Sequence, residues 1–231
     1  MSSVNGAEEA NTRIAIDGPA GSGKTTTGKL VASRFDFRFF DTGIMYRAAT
    51  RMAQLQGLAL ADEAAIVRSI DEGVLDFVFD DAGDARVVIL GQDETDTLRS
   101  PEVDSGVSTV AALPIVRELM VQMQRDIAGD AEIVMVGRDI GTVVLPDAEL
   151  KIYLTASAEE RARRRFEQNR SSGIQQNFDE MVSDLKARDA LDSGREASPL
   201  RPADDSIQVS SDGKSLQEVV DEVVELVKAA E

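Results

Sequence analysis

Apolar and polar positions along this chain follow two periods. Short apolar runs of strand length, Ile14-Ala15-Ile16, Phe37 to Phe40, Glu132 to Val136, Leu150 to Leu154 and Ser206 to Val209, are separated by stretches with helical spacing. Thr26 to Ser33 and Ile44 to about Gln56 read as the first two helices. From Gly57 the pattern changes. Asp62 to Ser69 looks helical, then Val74 to Phe79 and Arg86 to Leu90 alternate as two strands about the polar turn Asp80 to Asp84, and Thr95 to Arg99 is expected to add a third. Pro101 and Pro114 suit first-turn sites of two helices, one carrying Ser108, the other carrying Arg117 and running over Ile115 to Ile127. Ser157-Ala158-Glu159-Glu160 is a cap with acids in the first turn of a helix, and Phe178 to Asp192 is a further helix. Ser215 with Glu218 makes a capping box for a closing helix whose Leu216, Val219, Val220, Val223, Val224 and Val227 form a core face. This order of strands and helices is that of a parallel α/β sheet wrapped by helices, with a small antiparallel insertion. Met1 to Asn11 is polar, lacks periodicity, and is expected to be a disordered tail.

Composition narrows the chemistry. The 231 residues are 42% apolar, enough for a sizeable core, and contain neither cysteine nor histidine. Zinc sites of the usual kind, thiol nucleophiles, histidine bases and disulfides are thereby excluded. A net charge of −17 argues against general binding to nucleic acid or anionic membranes. No signal peptide or membrane-length apolar run is present, so a cytoplasmic location is expected; the chain is also expected to be a monomer. The acidic balance reverses locally: Arg161, Arg163, Arg164, Arg165 and Arg170 lie within ten residues that hold one acid, Glu167.

The most informative stretch follows the first strand. Gly18-Pro19-Ala20-Gly21-Ser22-Gly23-Lys24-Thr25 spells G-x-x-x-x-G-K-T between a strand and a helix. Glycines allow successive amides to point inward at a polyphosphate, and the helix adds its positive N-terminus. Lys24 would reach the β/γ-phosphates and the Thr25 hydroxyl would take a place on Mg²⁺.

Three other clusters have two readings each. Asp41-Thr42-Gly43 ends a strand where open α/β sheets place ligand groups, or it simply caps the next helix. Arg161, Arg164 and Arg165 share a helix face and either form solvated pairs with Glu160 and Glu167 or act as a lid closing on a triphosphate. Arg188, Asp192 and Arg195 point one way if their helix extends that far, as a ligand site or as a surface ladder.

These residues resemble the bacterial cytidylate (CMP/dCMP) kinases. Ile16 to Lys24 is similar to that family's phosphate loop, Asp41-Thr42-Gly43-Ile44-Met45-Tyr46-Arg47 to its D-[ST]-G-x-x-Y-R segment, and Gly137-Arg138-Asp139-Ile140-Gly141-Thr142 to its G-R-D-x-G-T segment. Arg99 to Val103, Ser108, Pro114 with Arg117, and Arg188-Asp189 with Pro199-Leu200 extend the match to nearly the whole chain from Ile14. The resemblance implies a three-layer P-loop kinase fold with a five-stranded parallel core sheet (residues 12–59, 131–157 and 196–231). It also implies an insertion binding a nucleoside monophosphate (60–130) and a helical lid with its following helix (158–195). It implies that Gly18, Pro19, Ala20, Gly21, Ser22, Gly23, Lys24, Thr25 and Thr26 hold ATP and Mg²⁺, with Arg161 and Arg165 as lid contacts. Thr42, Ser108, Arg117, Asp139 and Arg195 would read the cytosine side of CMP or dCMP, Arg188 and Asp192 its sugar, and Arg47 and Arg138 its phosphate. Thr42 stands where the family also uses serine, a departure of one methyl group.

The chemistry agrees with this division. A phosphate oxygen is already an ionised nucleophile, so transfer between nucleotides needs no histidine base and relies on positioning and charge neutralisation. Distinguishing cytosine from uracil needs an acceptor for the amine, such as Asp139 or Thr42, and a donor for the ring nitrogen, such as Arg117. A regulatory GTPase would require an N-K-x-D motif, and none of the six lysines sits in one. Another small-molecule P-loop kinase is the remaining alternative, separated by its acceptor.

Overall fold

The computed structural model describes residues 12–80, 84–171 and 177–230. Its centre is a five-stranded sheet of β1 (Arg13–Asp17), β2 (Arg38–Asp41), β6 (Ile133–Gly137), β7 (Leu150–Thr155) and β8 (Ile207–Ser210). The spatial order is β2-β6-β1-β7-β8, and every pairing is parallel. Parallel strands require crossovers, and those crossovers cover both faces, which explains why the strand sequences are nearly continuous apolar runs.

The pleat divides these runs between two cores. Ala15, Ile133 and Met135 face one core, together with α2 (Gly43–Leu55) and α5 (Pro114–Ala128). Ile14, Ile16, Val134 and Val136 face the other, together with α1 (Lys24–Phe35) and α8 (Leu216–Ala230). All five residues of β6 are buried. The register sets Asp17 opposite Gly137 and Tyr153, and Asp41 opposite Val136. The carboxyl ends of four strands therefore meet at one edge, where doubly wound sheets bind ligands.

Residues between the second and sixth strands form α3 (Glu63–Asp71), a three-stranded antiparallel sheet of β3 (Leu75–Phe79), β4 (Ala85–Ile89) and β5 (Gln92–Asp93), and α4 (Pro101–Val110). The third strand is thus Gln92–Asp93, and Thr95–Arg99 is a 3₁₀ turn instead of the expected strand. Local side chains account for the difference. The Thr95 amide donates to Asp93 Oδ1, the Thr95 hydroxyl accepts from the Val87 amide, and the Thr97 hydroxyl donates to Glu94, bonds that compete with a ladder.

After β7 come α6 (Ala158–Ser171) and α7 (Phe178–Ser193). Ser157 Oγ accepts from the Glu160 amide, the expected cap. The closing helix has its box between Ser215 and Glu218 and buries all five of its expected valines, whereas Leu216, at its first residue, is 45% exposed. The expected tail at 1–11, the tip of the Asp80 to Asp84 turn and the Ser172-Gly173 break lie outside the described residues.

Candidate active site

The loop after β1 is shaped by close approach. At Gly18 (φ 150°) a Cβ would lie 2.1 Å from the Leu154 carbonyl oxygen, so only glycine lets the chain pass β7. Gly23 adopts φ 99° immediately before α1, whose N-terminus has no side-chain cap. Its amides are left available for an anion. Lys24, buried, donates from Nζ to the Pro19 carbonyl at 2.8 Å, and burial together with the neighbouring Arg138 lowers its pKa well below the ordinary lysine value. The Thr25 hydroxyl donates to Asp41 Oδ2 at 2.7 Å, while Asp41 Oδ1 accepts from the Gly43 amide at 3.0 Å. A hydroxyl beside a carboxylate is a hard-oxygen pair that fits hydrated Mg²⁺. No group of three or more acidic side chains among the described residues could hold a metal by itself. Ser22 is buried behind the loop and Thr26 is exposed.

The other half of the site is built from side chains of distant segments. Arg117 on α5 and Asp139 just after β6 form a buried pair at 2.5 Å, and Arg117 also donates to the Ala111 carbonyl. Its guanidinium lies 5.2 Å from the centre of the Tyr46 ring. Burial opposes the charge of Arg117, but Asp139, Tyr46 and Asp192 together more than offset it and raise its pKa above the ordinary arginine value. Thr42, also buried, donates its hydroxyl to the Val136 carbonyl at 3.0 Å. Ser108 lines the same cleft from α4.

A cationic cluster adjoins this pair. Arg138 donates to Asp192 Oδ2 at 2.9 Å and Arg195 to Asp192 Oδ1, so one buried carboxylate serves two arginines. Arg195 lies two residues beyond the end of α7, yet its side chain turns back to the helix. Arg188 also feels Asp192, but its Nε is buried with no hydrogen-bond partner. Burial lowers the pKa of Arg188, and the nearby Arg138 lowers it further. Arg47 donates to the Leu98 carbonyl and pairs with Asp104 at 2.7 Å. Positive charge exceeds negative here, as an anion-binding site requires.

The arginine-rich helix α6 divides by face. Arg163 forms exposed pairs with Glu160 and Glu167. Arg164 reaches Ser211 and Glu160. Arg161 is buried, donating to the carbonyls of Ala156 and Ala20 and to both oxygens of Asp189, so it ties the phosphate loop to α7. Arg165, about half exposed, stands 3.6 Å from Asp104 at the mouth of the cleft.

One cleft of about 810 Å³ contains these groups, within the range of ligand sites. Lys24 and Thr25 line it together with Thr42, Arg47, Ser108, Arg117, Arg138, Asp139, Arg161, Arg165, Arg188, Asp192 and Arg195. Asp41, Tyr46 and Asp104 belong to the same wall; of these the sequence offers only Asp41 as a candidate, within the Asp41-Thr42-Gly43 strand end. Tyr46 sits inside the D-T-G-I-M-Y-R segment and could have been found there; Asp104 has no comparable signal. Beneath the cleft, Asp17 accepts from the amides of Ile140 and Gly141, each at 2.8 Å, and burial pushes its carboxyl up to about 6 against the opposing effect of those bonds.

The profile of the family described as cytidylate kinase matches residues 14–229. Curated proteins named cytidylate kinase from Streptococcus pneumoniae strains Hungary19A-6 and D39 are 46% identical over 211 residues, covering 91% of this chain and 95% of theirs. The crystal structure of an uncharacterized protein from Eubacterium ventriosum aligns with 95% of this chain and 99% of its own at a TM-score of 0.50 and 14% identity, a likeness of fold alone.

Proposed function

The chain belongs to the cytidylate kinase family, and on that premise we propose how its cleft divides the labour of moving a phosphoryl group from ATP to CMP or dCMP. The activity itself is phosphorylation of CMP by ATP. One observation carries the division. Arg138, Arg188 and Arg195 converge on the single carboxylate of Asp192, and their surplus positive charge shares a cleft with Lys24 and the uncapped start of α1.

In this reading residues 18–26 hold the phosphates of ATP, with Lys24 on the β/γ-phosphates. The Thr25 hydroxyl, supported by Asp41, is the protein's oxygen donor toward Mg²⁺. Bound there, Mg²⁺ neutralises charge on the donor's phosphates. Arg47 and Arg138 clamp the acceptor phosphate, while Arg188 and Asp192 hold its sugar. Asp139, Thr42 and Ser108 supply acceptors to the cytosine amine, and Arg117 and Arg195 supply donors to its ring. Residues 60–130 form the acceptor-binding insertion, and 158–195 the lid with its following helix, which brings Arg161 and Arg165 to the donor.

An acceptor phosphate oxygen forms the new bond to the γ-phosphorus as the bond from that phosphorus to the bridging oxygen breaks, releasing ADP. No side chain need remove a proton from the nucleophile, consistent with a site of arginines, one lysine and no histidine. A uracil in place of cytosine would set its ring N–H against Arg117 and its carbonyl against Asp139, leaving buried groups mismatched. The enzyme is read as a cytoplasmic monomer; no described helix is long and apolar enough to cross a membrane. The test is a coupled ADP-release screen with CMP, dCMP, UMP and other phosphate acceptors. Fast turnover of CMP and dCMP is expected; turnover of another acceptor with none of CMP would overturn the reading.

A further inference from the structure

Asp17 is among the buried titratable groups to which the mechanism gives no task. Asp17 is the last residue of β1, and Gly18, the start of the phosphate loop, follows it directly. Both carboxylate oxygens are used: Oδ1 accepts from the Ile140 amide and Oδ2 from the Gly141 amide, each at 2.8 Å. Those amides open the short π-helical turn Ile140–Val144, whose preceding residues are Arg138 and Asp139. The far end of the turn is closed by its own backbone, from Val143 and Val144 to the Asp139 carbonyl and from Leu145 to that of Ile140. Asp17 therefore supplies the side-chain acceptors at the near end, beside the residues that hold Arg117 and Asp192.

We propose that Asp17 is a positioning residue, whose carboxylate sets the turn bearing Arg138 and Asp139 in register with the phosphate loop and so supports recognition of the acceptor nucleotide. This rests on reading Arg117 and Asp139 as the acceptor's base subsite. Two consecutive amides need two oxygens free to accept. Protonation turns one oxygen into a donor facing an amide hydrogen, and the clamp loses a bond. The groups facing Asp17 are Asp139 on the turn itself, Lys24 on α1 and Tyr153 on the adjacent strand β7. Burial and Asp139 favour its protonation; the two amides and Lys24 oppose it, leaving the carboxyl to titrate near 6. Acidification through that range loosens the turn.

Asp17→Asn reproduces the protonated hydrogen-bonding pattern at every pH. At pH 8 it is expected to raise KM for CMP about tenfold, the loss for one unsatisfied buried donor, and to leave KM for ATP within about twofold. The ratio of variant to wild-type KM for CMP should fall toward one at pH 5, because the wild type then adopts the same pattern; titration of CMP itself cancels in the ratio. A ratio constant from pH 5 to 8, or equal losses for ATP and CMP, overturns the proposal. Arg117→Met is the parallel arm: if it spares CMP binding, the base-subsite reading fails, and this proposal with it. If it impairs CMP but the Asp17→Asn ratio ignores pH, only the role of Asp17 fails. Should the variant not fold, protection factors of the Ile140 and Gly141 amides in the wild-type protein decide. They should drop between pH 8 and 5, and unchanged protection refutes the clamp.

Discussion

The two halves of the cleft are made in opposite ways. The half proposed to hold the donor is one contiguous stretch, residues 18–26, which offers mainly backbone amides and one lysine, and its requirement is a conformation that glycine permits. The half proposed to hold the acceptor draws Thr42, Ser108, Arg117, Arg138 with Asp139, and Arg188 with Asp192 from segments separated by up to about 150 residues, and includes the ion pairs Arg117–Asp139 and Arg138–Asp192. Phosphate is common to all nucleotides, so a local loop that binds it can be shared by many enzymes. A particular base requires donors and acceptors fixed at several points, and a single short segment cannot surround it. On the proposed division, generic recognition is local in this chain and specific recognition is distributed.

Substitutions can test that contrast. The largest effect is expected from Lys24→Ala, which should lower kcat by about 10³-fold whatever the acceptor, with the circular dichroism spectrum retained. A variant with near wild-type turnover would remove the donor assignment. Next is Arg117→Met, which should raise KM for CMP by about 10- to 100-fold while changing that for ATP little, since a buried charged partner is lost on the acceptor side only. Equal loss for both nucleotides would erase the distinction between the halves. A smaller change is expected from Thr42→Ser. The hydroxyl that bonds the Val136 carbonyl is kept and one methyl removed, so kcat/KM for CMP should stay within about tenfold. The least is expected from Arg163→Ala. Its own side chain is about half exposed and, among the described residues, pairs only within α6, with Glu160 and Glu167, so steady-state kinetics should move less than about twofold. A large loss there would extend the proposed functional face of the helix beyond Arg161 and Arg165.

The contrast also explains what could be read without coordinates. The phosphate loop is a pattern of residue types at fixed spacing, and the strands around it are apolar runs, so both are visible in linear order. The valine face of α8 is visible for the same reason. Short elements are less legible. Thr95–Arg99 has the β-branched content of a strand, but Asp93, Thr95 and Thr97 spend their hydrogen bonds locally and close a 3₁₀ turn. Leu216 has the right period for the core but falls at the first residue of its helix, where the face is not yet covered.

Arg161 shows a further gap. Its spacing places it with Arg164 and Arg165, yet in the fold its guanidinium is buried and engaged by Ala20, Ala156 and Asp189, while Arg165 stands at the mouth. Periodicity assigns residues to a face but does not say what lies against it.

Local conformation, periodicity and composition suffice for the parallel α/β class, the phosphate loop and the lack of thiol and imidazole side chains, while the residues proposed for the acceptor side were legible only through the family's motifs. Only the tertiary structure decided which arginines share a carboxylate, that Arg188 keeps a buried nitrogen unpaired, and that Asp17 bridges the two loops. The reason is physical. Hydrogen bonds and ion pairs act over a few ångströms, and neighbours at that range are set by how the sheet brings its strand ends to one edge.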